Sequence, residues 1–206
     1  MIKSLYDNQK ELINSIVSLH CGGSLDADIT YSSGKMYKGC SFQGPSLKFD
    51  ISPTAEDVIE ADASTVKFDS VDSIMFDPPF LATTGKSLKK QDGNNLIAQR
   101  FSVFPNERSL HQFYIDVMEN CYDNLLNDNG ILIFKCQDKV SSGKQYFSHC
   151  FIHDQAVKLG FYPLDLFVLL SKTRMTPKWQ VDNQKHARKF HSYFWVFKKC
   201  KKQVSY

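Results

Sequence analysis

Asp77-Pro78-Pro79-Phe80 follows the apolar run Ser73-Ile74-Met75-Phe76, so a buried strand ends at a carboxylate, two prolines and an aromatic ring. Proline lacks an N–H and fixes φ, which terminates the strand and holds the carbonyls beside Asp77 in a set direction. Such a row of acceptors suits a planar group with N–H donors, and Phe80 could stack on that group as aromatic side chains do on extruded bases. The tetrapeptide alone is equally compatible with a plain strand-to-loop break. Three more acids stand upstream at the ends of short apolar segments: Asp28 after Ala27, Asp50 after Ser46-Leu47-Lys48-Phe49, and Asp62 after Val58-Ile59-Glu60-Ala61. Each has a local alternative, because Asp28 could cap a turn, Asp50 could bond its own backbone before Pro53, and Asp62 could cap a helix beginning near Ser64.

The elements that must carry these residues alternate. Helical spacing runs from Ser4 to about His20, from Leu110 to Leu126 and from His149 to Lys158, the second ending at Asp128-Asn129-Gly130 and the third at Gly160. Strands are expected at 27–31, 46–50, 58–62, 73–76, 130–136, 164–170 and 192–197. Most of these strands are continuously apolar, which implies a mainly parallel sheet covered on both faces. In such α/β sheets, ligands bind outside the carboxyl ends of the strands, where the aspartates lie. Loops 81–109 and 172–190 lack sustained periodicity, and loops this long in a compact domain are usually functional.

With 206 residues, 42% hydrophobic and 23% charged, the chain fits one globular domain, 1–206. Its beginning lacks the apolar core of a signal peptide, and no stretch approaches membrane-spanning length, so a soluble cytoplasmic protein is expected. The six cysteines form no Cys-x-x-Cys pair, which argues against a zinc site or a disulfide framework. His149 and His153 are four apart on a helix but lack a third ligand nearby, so they read as a polar face and no metal is expected. The net charge of +3 does not identify a nucleic-acid binder. Its distribution is more telling: Lys86 in the first loop, and Arg174, Arg188 and Lys189 in or near the second, could face phosphates. Lys135 and Gln137, with Asp138, follow the strand at 130–136 and could line a base pocket or form a salt-bridged loop. Tyr31 could pack on a bound cofactor but, as a strand aromatic, is expected in the core.

In this order, the motifs resemble a class I S-adenosylmethionine-dependent methyltransferase, an α/β, Rossmann-like fold with seven mostly parallel strands, an antiparallel last strand and helices on both faces. The segment Asp28-Ile29-Thr30-Tyr31-Ser32-Ser33-Gly34 resembles the family's first motif, although the family usually has two or more glycines there and this chain has Gly34 alone. Asp50, about 22 residues past Asp28 and near the ~20 of ribose-binding acids, resembles the ribose-binding acid. Asp62 resembles the acid that meets the adenine amino group. Asp77 to Phe80 is similar to the Asp-Pro-Pro-aromatic motif of amino-methyltransferases, and segments 135–138 and 186–193 look like those of small phage and prophage methylases. The resemblance implies S-adenosyl-L-methionine bound through Asp28, Thr30, Gly34, Asp50 and Asp62, with Asp77, Pro78, Pro79 and Phe80 as the catalytic group. It further implies methylation of a nucleobase amine, N6 of adenine in DNA being favoured over an RNA substrate (guanine N2 or adenine N6). A catalytically silent binding protein on the same fold is the remaining alternative.

Overall fold

The computed structural model describes residues 1–80, 82, 104–141, 143–172, 182 and 184–200. An opening strand β1 (Leu5–Tyr6) precedes helix α1 (Gln9–His20) and strand β2 (Ala27–Asp28), followed by β3 (Leu47–Asp50), β4 (Ile59–Glu60) and β5 (Val71–Phe76). Then come α2 (Glu107–Asn120), β6 (Leu126–Cys136), a hairpin of β7 (Lys139–Ser141) and β8 (Lys144–Tyr146), α3 (Ser148–Leu159), β9 (Phe161–Leu170) and β10 (His191–Lys199).

The main sheet runs β1-β9-β10-β6-β5-β2-β3-β4. Only β10 is antiparallel to its neighbours, β6 and β9. The expected Rossmann-like α/β fold is therefore present, with β1 as an eighth strand at one edge. Alternation along the strands explains their apolar runs. Ile74, Phe76, Leu132, Phe134 and Phe197 pack toward α2 and α3. Met75, Ile131, Ile133, Phe194 and Val196 pack toward Leu12, Ile13, Ile16 and Val17 of α1. A strand buried on both sides cannot show the polar alternation of a half-exposed one.

Several boundaries differ from the sequence reading. The first helix begins at Gln9, because Asn8 caps it by accepting from the backbone N–H groups of Lys10 and Glu11. Leu5 and Tyr6 instead pair with Val168 and Leu169. The second helix starts at Glu107, capped by Asn106, inside the segment read as loop 81–109, and its last turn widens to a π-helical turn at Cys121–Leu125. Asp128-Asn129-Gly130 does not cap that helix. It lies in β6, whose register to β5 jumps from Val71↔Leu126 to Ser73↔Ile131 because Leu126 is already paired and buried before the turn begins. The β7–β8 hairpin carries no strong sequence signal and was not expected. Gly160, at φ 106°, stops α3 as anticipated.

In this strand order, β2 and β5 lie side by side while the chain leaves them in opposite directions across the sheet. Their carboxyl ends are thus the switch point at which α/β sheets form ligand crevices.

Candidate active site

A cleft of about 320 Å³ opens over the carboxyl ends of β2, β3 and β5. Asp28, Thr30, Gly34, Asp50, Asp62, Asp77 and Pro79 all line it. Asp28, the last residue of β2, is 1% exposed and forms part of its floor. One carboxylate oxygen accepts from the Thr30 N–H at 2.7 Å, and the other accepts from the Tyr37 hydroxyl at 2.6 Å. Burial pushes the Asp28 carboxyl up to about 7; the Tyr37 and Thr30 hydrogen bonds oppose that shift, and the nearby charge of Asp77 adds to it.

The turn after β2 takes two residues, one of them a glycine, into the left-handed region. Ser32 itself takes the left-handed region, at φ 53°, and its N–H donates to Asp50 Oδ2 at 2.7 Å. Gly34 follows at φ 63°, where a Cβ would stand 2.3 Å from the Tyr31 hydroxyl. The loop is thus pinned from β3, by a carboxylate whose other oxygen accepts from Ser52 N–H at 2.8 Å. Asp62 accepts from both the N–H and the hydroxyl of Ser64 through Oδ1, in a single turn rather than a helix. The local bonds weighed as alternatives for Asp50 and Asp62 are therefore made, and both side chains still face the cleft. Tyr31 sits at the margin of the core: half-buried, it packs against the second core cluster by stacking on Tyr37 with ring centroids 5.8 Å apart, and it also lines the cleft.

Asp77 is tied to the same floor. Its N–H donates to Thr30 Oγ1 at 2.7 Å, and Thr30 Oγ1 also lies 3.3 Å from Asp28 Oδ1. Asp28, Thr30 and Asp77 thereby form one hydrogen-bonded unit across β2 and β5. Asp77 Oδ2 pairs with Lys135 Nζ at 2.7 Å, with the side chains 20% and 12% exposed. The Pro79 carbonyl accepts from the Tyr114 hydroxyl at 2.9 Å, and the Phe80 carbonyl accepts from Lys139 Nζ. Lys139 in turn pairs with Glu107 at 2.7 Å, both nearly buried. Burial lowers the Lys139 pKa against the opposing effect of Glu107. The prolines stiffen this stretch, while Tyr114 and Lys139 anchor its two final carbonyls.

The other residues singled out in the sequence fall elsewhere. Lys135 reaches the site through Asp77, whereas Gln137 spends its amide on the His191 carbonyl at 3.0 Å. Asp138 is buried and pairs with His149 Nδ1 at 2.8 Å, and His153 pairs with its neighbour Asp154. No cluster of three metal-ligating side chains occurs among the described residues. Pro78 is buried beside the cleft residues, and Phe80 is half-buried. Arg188 and Lys189 are half-buried before β10, where Lys189 Nζ donates to the Ala187 carbonyl at 3.3 Å. Lys86 and Arg174 lie outside the described residues, as does most of each loop that carries them. Tyr37, Tyr114, Glu107 and Lys139 were missed; nothing local distinguishes them, since their partners stand 9 to 59 residues away.

No protein-family model matches the sequence, and no curated protein is detectably similar to it. Among solved structures, the chain resembles TrmN from Thermus thermophilus at 15% identity and a TM-score of 0.53, over 92% of this chain and 48% of that one. The chain therefore spans about half the length of TrmN. A SAM-dependent methyltransferase from Archaeoglobus fulgidus matches at 13% identity and TM-score 0.47, over 92% and 94% of the two chains. PvuII DNA methyltransferase, described as cytosine-N4-specific, matches at 14% and 0.41, over 74% and 49%. At 15% identity the likeness to TrmN shows the fold alone, which is the Rossmann-like α/β fold. No helix among the described residues is long and apolar enough to cross a membrane.

Proposed function

We propose that this protein is an S-adenosylmethionine-dependent methyltransferase acting on an exocyclic amino group of a nucleobase, with N6 of adenine in DNA as the leading substrate. The observation that carries the reading is the Asp28–Thr30–Asp77 unit, which joins the cofactor half of the cleft to the acceptor motif. The donor set fits the cofactor. Asp50 keeps acceptor capacity beyond its two backbone N–H partners for ribose hydroxyls, and Asp62 Oδ2 makes no hydrogen bond among the described residues, leaving it for an adenine amino group. Asp28, Thr30 and Gly34 shape the floor and turn against which the rest of that molecule lies.

S-adenosylmethionine, when bound, supplies an electrophilic methyl group on a sulfonium. The acceptor amine is a poor nucleophile because its lone pair is delocalised into the ring. Asp77 Oδ1 and the Pro78 carbonyl, accepting its two N–H groups, favour a more tetrahedral nitrogen with its lone pair free of the ring. When bound, the cofactor would supply the methyl group and keep the electron pair of the bond it gives up, while the nitrogen held by Asp77 and Pro78 would release one proton. Catalysis by this set rests on positioning and preorganised acceptors. Phe80 offers a face for the extruded base.

RNA is the second reading. A silent binding protein on the same fold is the third reading; Ser32, a second left-handed residue in the turn at φ 53°, supports the enzyme over it. Incubation of the protein with labelled cofactor and DNA or RNA, followed by mass spectrometry of nucleosides, tests the proposal. Methylated deoxyadenosine is expected; transfer confined to RNA would sink the DNA assignment. Asp77→Ala is expected to bind cofactor while losing methyl transfer by at least about a hundredfold, the scale of losing one preorganised polar group.

A further inference from the structure

Lys135 brings a cation to the carboxylate that the proposed reaction uses. Its Nζ lies 2.7 Å from Asp77 Oδ2, 5.7 Å from the centroid of the Phe80 ring and 5.6 Å from that of Phe194, its cross-strand partner in β10. The side chain is 12% exposed, and Asp77 is its hydrogen-bond acceptor among the described residues. An ammonium has three donors. This one is held by one carboxylate oxygen, Asp77 Oδ2, and two ring faces, which leaves donors beyond that bond.

We infer that Asp77 and Lys135 act as an acceptor–donor pair that selects an exocyclic amine with no protonated ring nitrogen beside it, as in adenine or cytosine, and disfavours guanine N2, which N1–H flanks. The inference rests on the proposed function. Adenine N6 has acceptor nitrogens to either side, and cytosine N4 lies next to N3, so an N–H given to Asp77 sets a ring acceptor toward Lys135. Guanine N2 lies between N1–H and N3. In one orientation N1–H faces the ammonium, donor against donor. Its natural partner, Asp77 Oδ2, would have to be shared with the ammonium of Lys135. In the other orientation the single Pro78 carbonyl must serve N1–H and N2–H together. A desolvated polar group left without a complementary partner is the general source of such discrimination.

The test uses the full chain with labelled cofactor and three oligonucleotides in which thymine, which has no exocyclic amine, surrounds a single adenine, cytosine or guanine; uracil-based ribo-oligonucleotides provide a parallel set. The wild type is expected to favour adenine or cytosine over guanine by at least about tenfold in kcat/KM. Lys135→Met should bring the ratio to within about threefold, and Lys135→Arg, which keeps a donor, should largely preserve it. Calorimetric cofactor binding by each variant verifies that the cleft is folded. Wild-type transfer to guanine as fast as to adenine, or an unchanged ratio in Lys135→Met, overturns the inference and leaves the proposed function standing. Cofactor binding with no transfer to any oligonucleotide overturns both.

Discussion

Asp28 offers a test of the site that needs no substrate. The carboxyl is buried beneath the cleft, and its pKa is raised from 3.8 to about 7, chiefly by desolvation. Between those values the folded protein holds a proton that the unfolded chain releases. This group's contribution is therefore largest below pH ~4, is lost as pH rises through the window and is flat above pH ~7, the reverse of a salt-bridged carboxylate. At about 1.4 kcal/mol per pH unit, the rise corresponds to a loss of ~4 kcal/mol. Asp28→Asn removes the titration with little change of shape: Oδ1 still accepts from Thr30, and the amide nitrogen donates to the Tyr37 oxygen, whose proton can turn elsewhere. Urea unfolding of both proteins across pH 4 to 8 is the assay, read as wild-type minus variant stability so that the other carboxylates cancel. That difference should fall by ~4 kcal/mol across the range. Parallel profiles, differing by less than ~1 kcal/mol in shape, would refute the placement of an ionisable group on the cleft floor.

Three other substitutions probe the supports of the site. Lys139→Met strands a buried Glu107 and should cost about 3–5 kcal/mol, while the double variant Lys139→Met/Glu107→Leu recovers most of it in a denaturation cycle. Gly34→Ala sets a methyl against Tyr31 and forces an alanine into the left-handed region; about 1–2 kcal/mol of destabilisation is expected from the backbone alone. Calorimetry should show weaker cofactor binding in the same protein as the Tyr31 ring is pushed from its place on Tyr37. Ser32→Gly is expected to leave stability unchanged or raise it by up to about 1 kcal/mol, since it relieves the strain at φ 53° while keeping the N–H for Asp50.

The buried strands and the three helices were legible because each is written in a local period, and Asp28, Asp50, Asp62 and Asp77 were legible because strand ends in α/β sheets are where acids meet ligands. The edge strand at Leu5 and Tyr6 was not, since two residues carry no period and their pairing partner lies in β9. Tyr31 was legible only in part, for a related reason: an aromatic next to a strand reads as core, and the turn beyond it sets its ring beside the cleft as well, stacked on Tyr37. The hairpin at Lys139–Tyr146 is defined by its contacts rather than by any alternation in its sequence.

By itself, the sequence determined the order of strands and helices, the four acids that face one cleft and the stiff Asp77-Pro78-Pro79-Phe80 turn, because hydrophobic period, proline geometry and strand-end position are properties of neighbouring residues. Only the tertiary structure decided that Thr30 links Asp28 to Asp77, that Ser32 takes the left-handed region with its N–H on Asp50, and that Lys135 and Lys139 bind Asp77 and the Phe80 carbonyl from β6 and β7. Those decisions depend on strands far apart in the chain coming within hydrogen-bonding distance, and on the burial that raises the carboxyl of Asp28; neither exists until the sheet has formed.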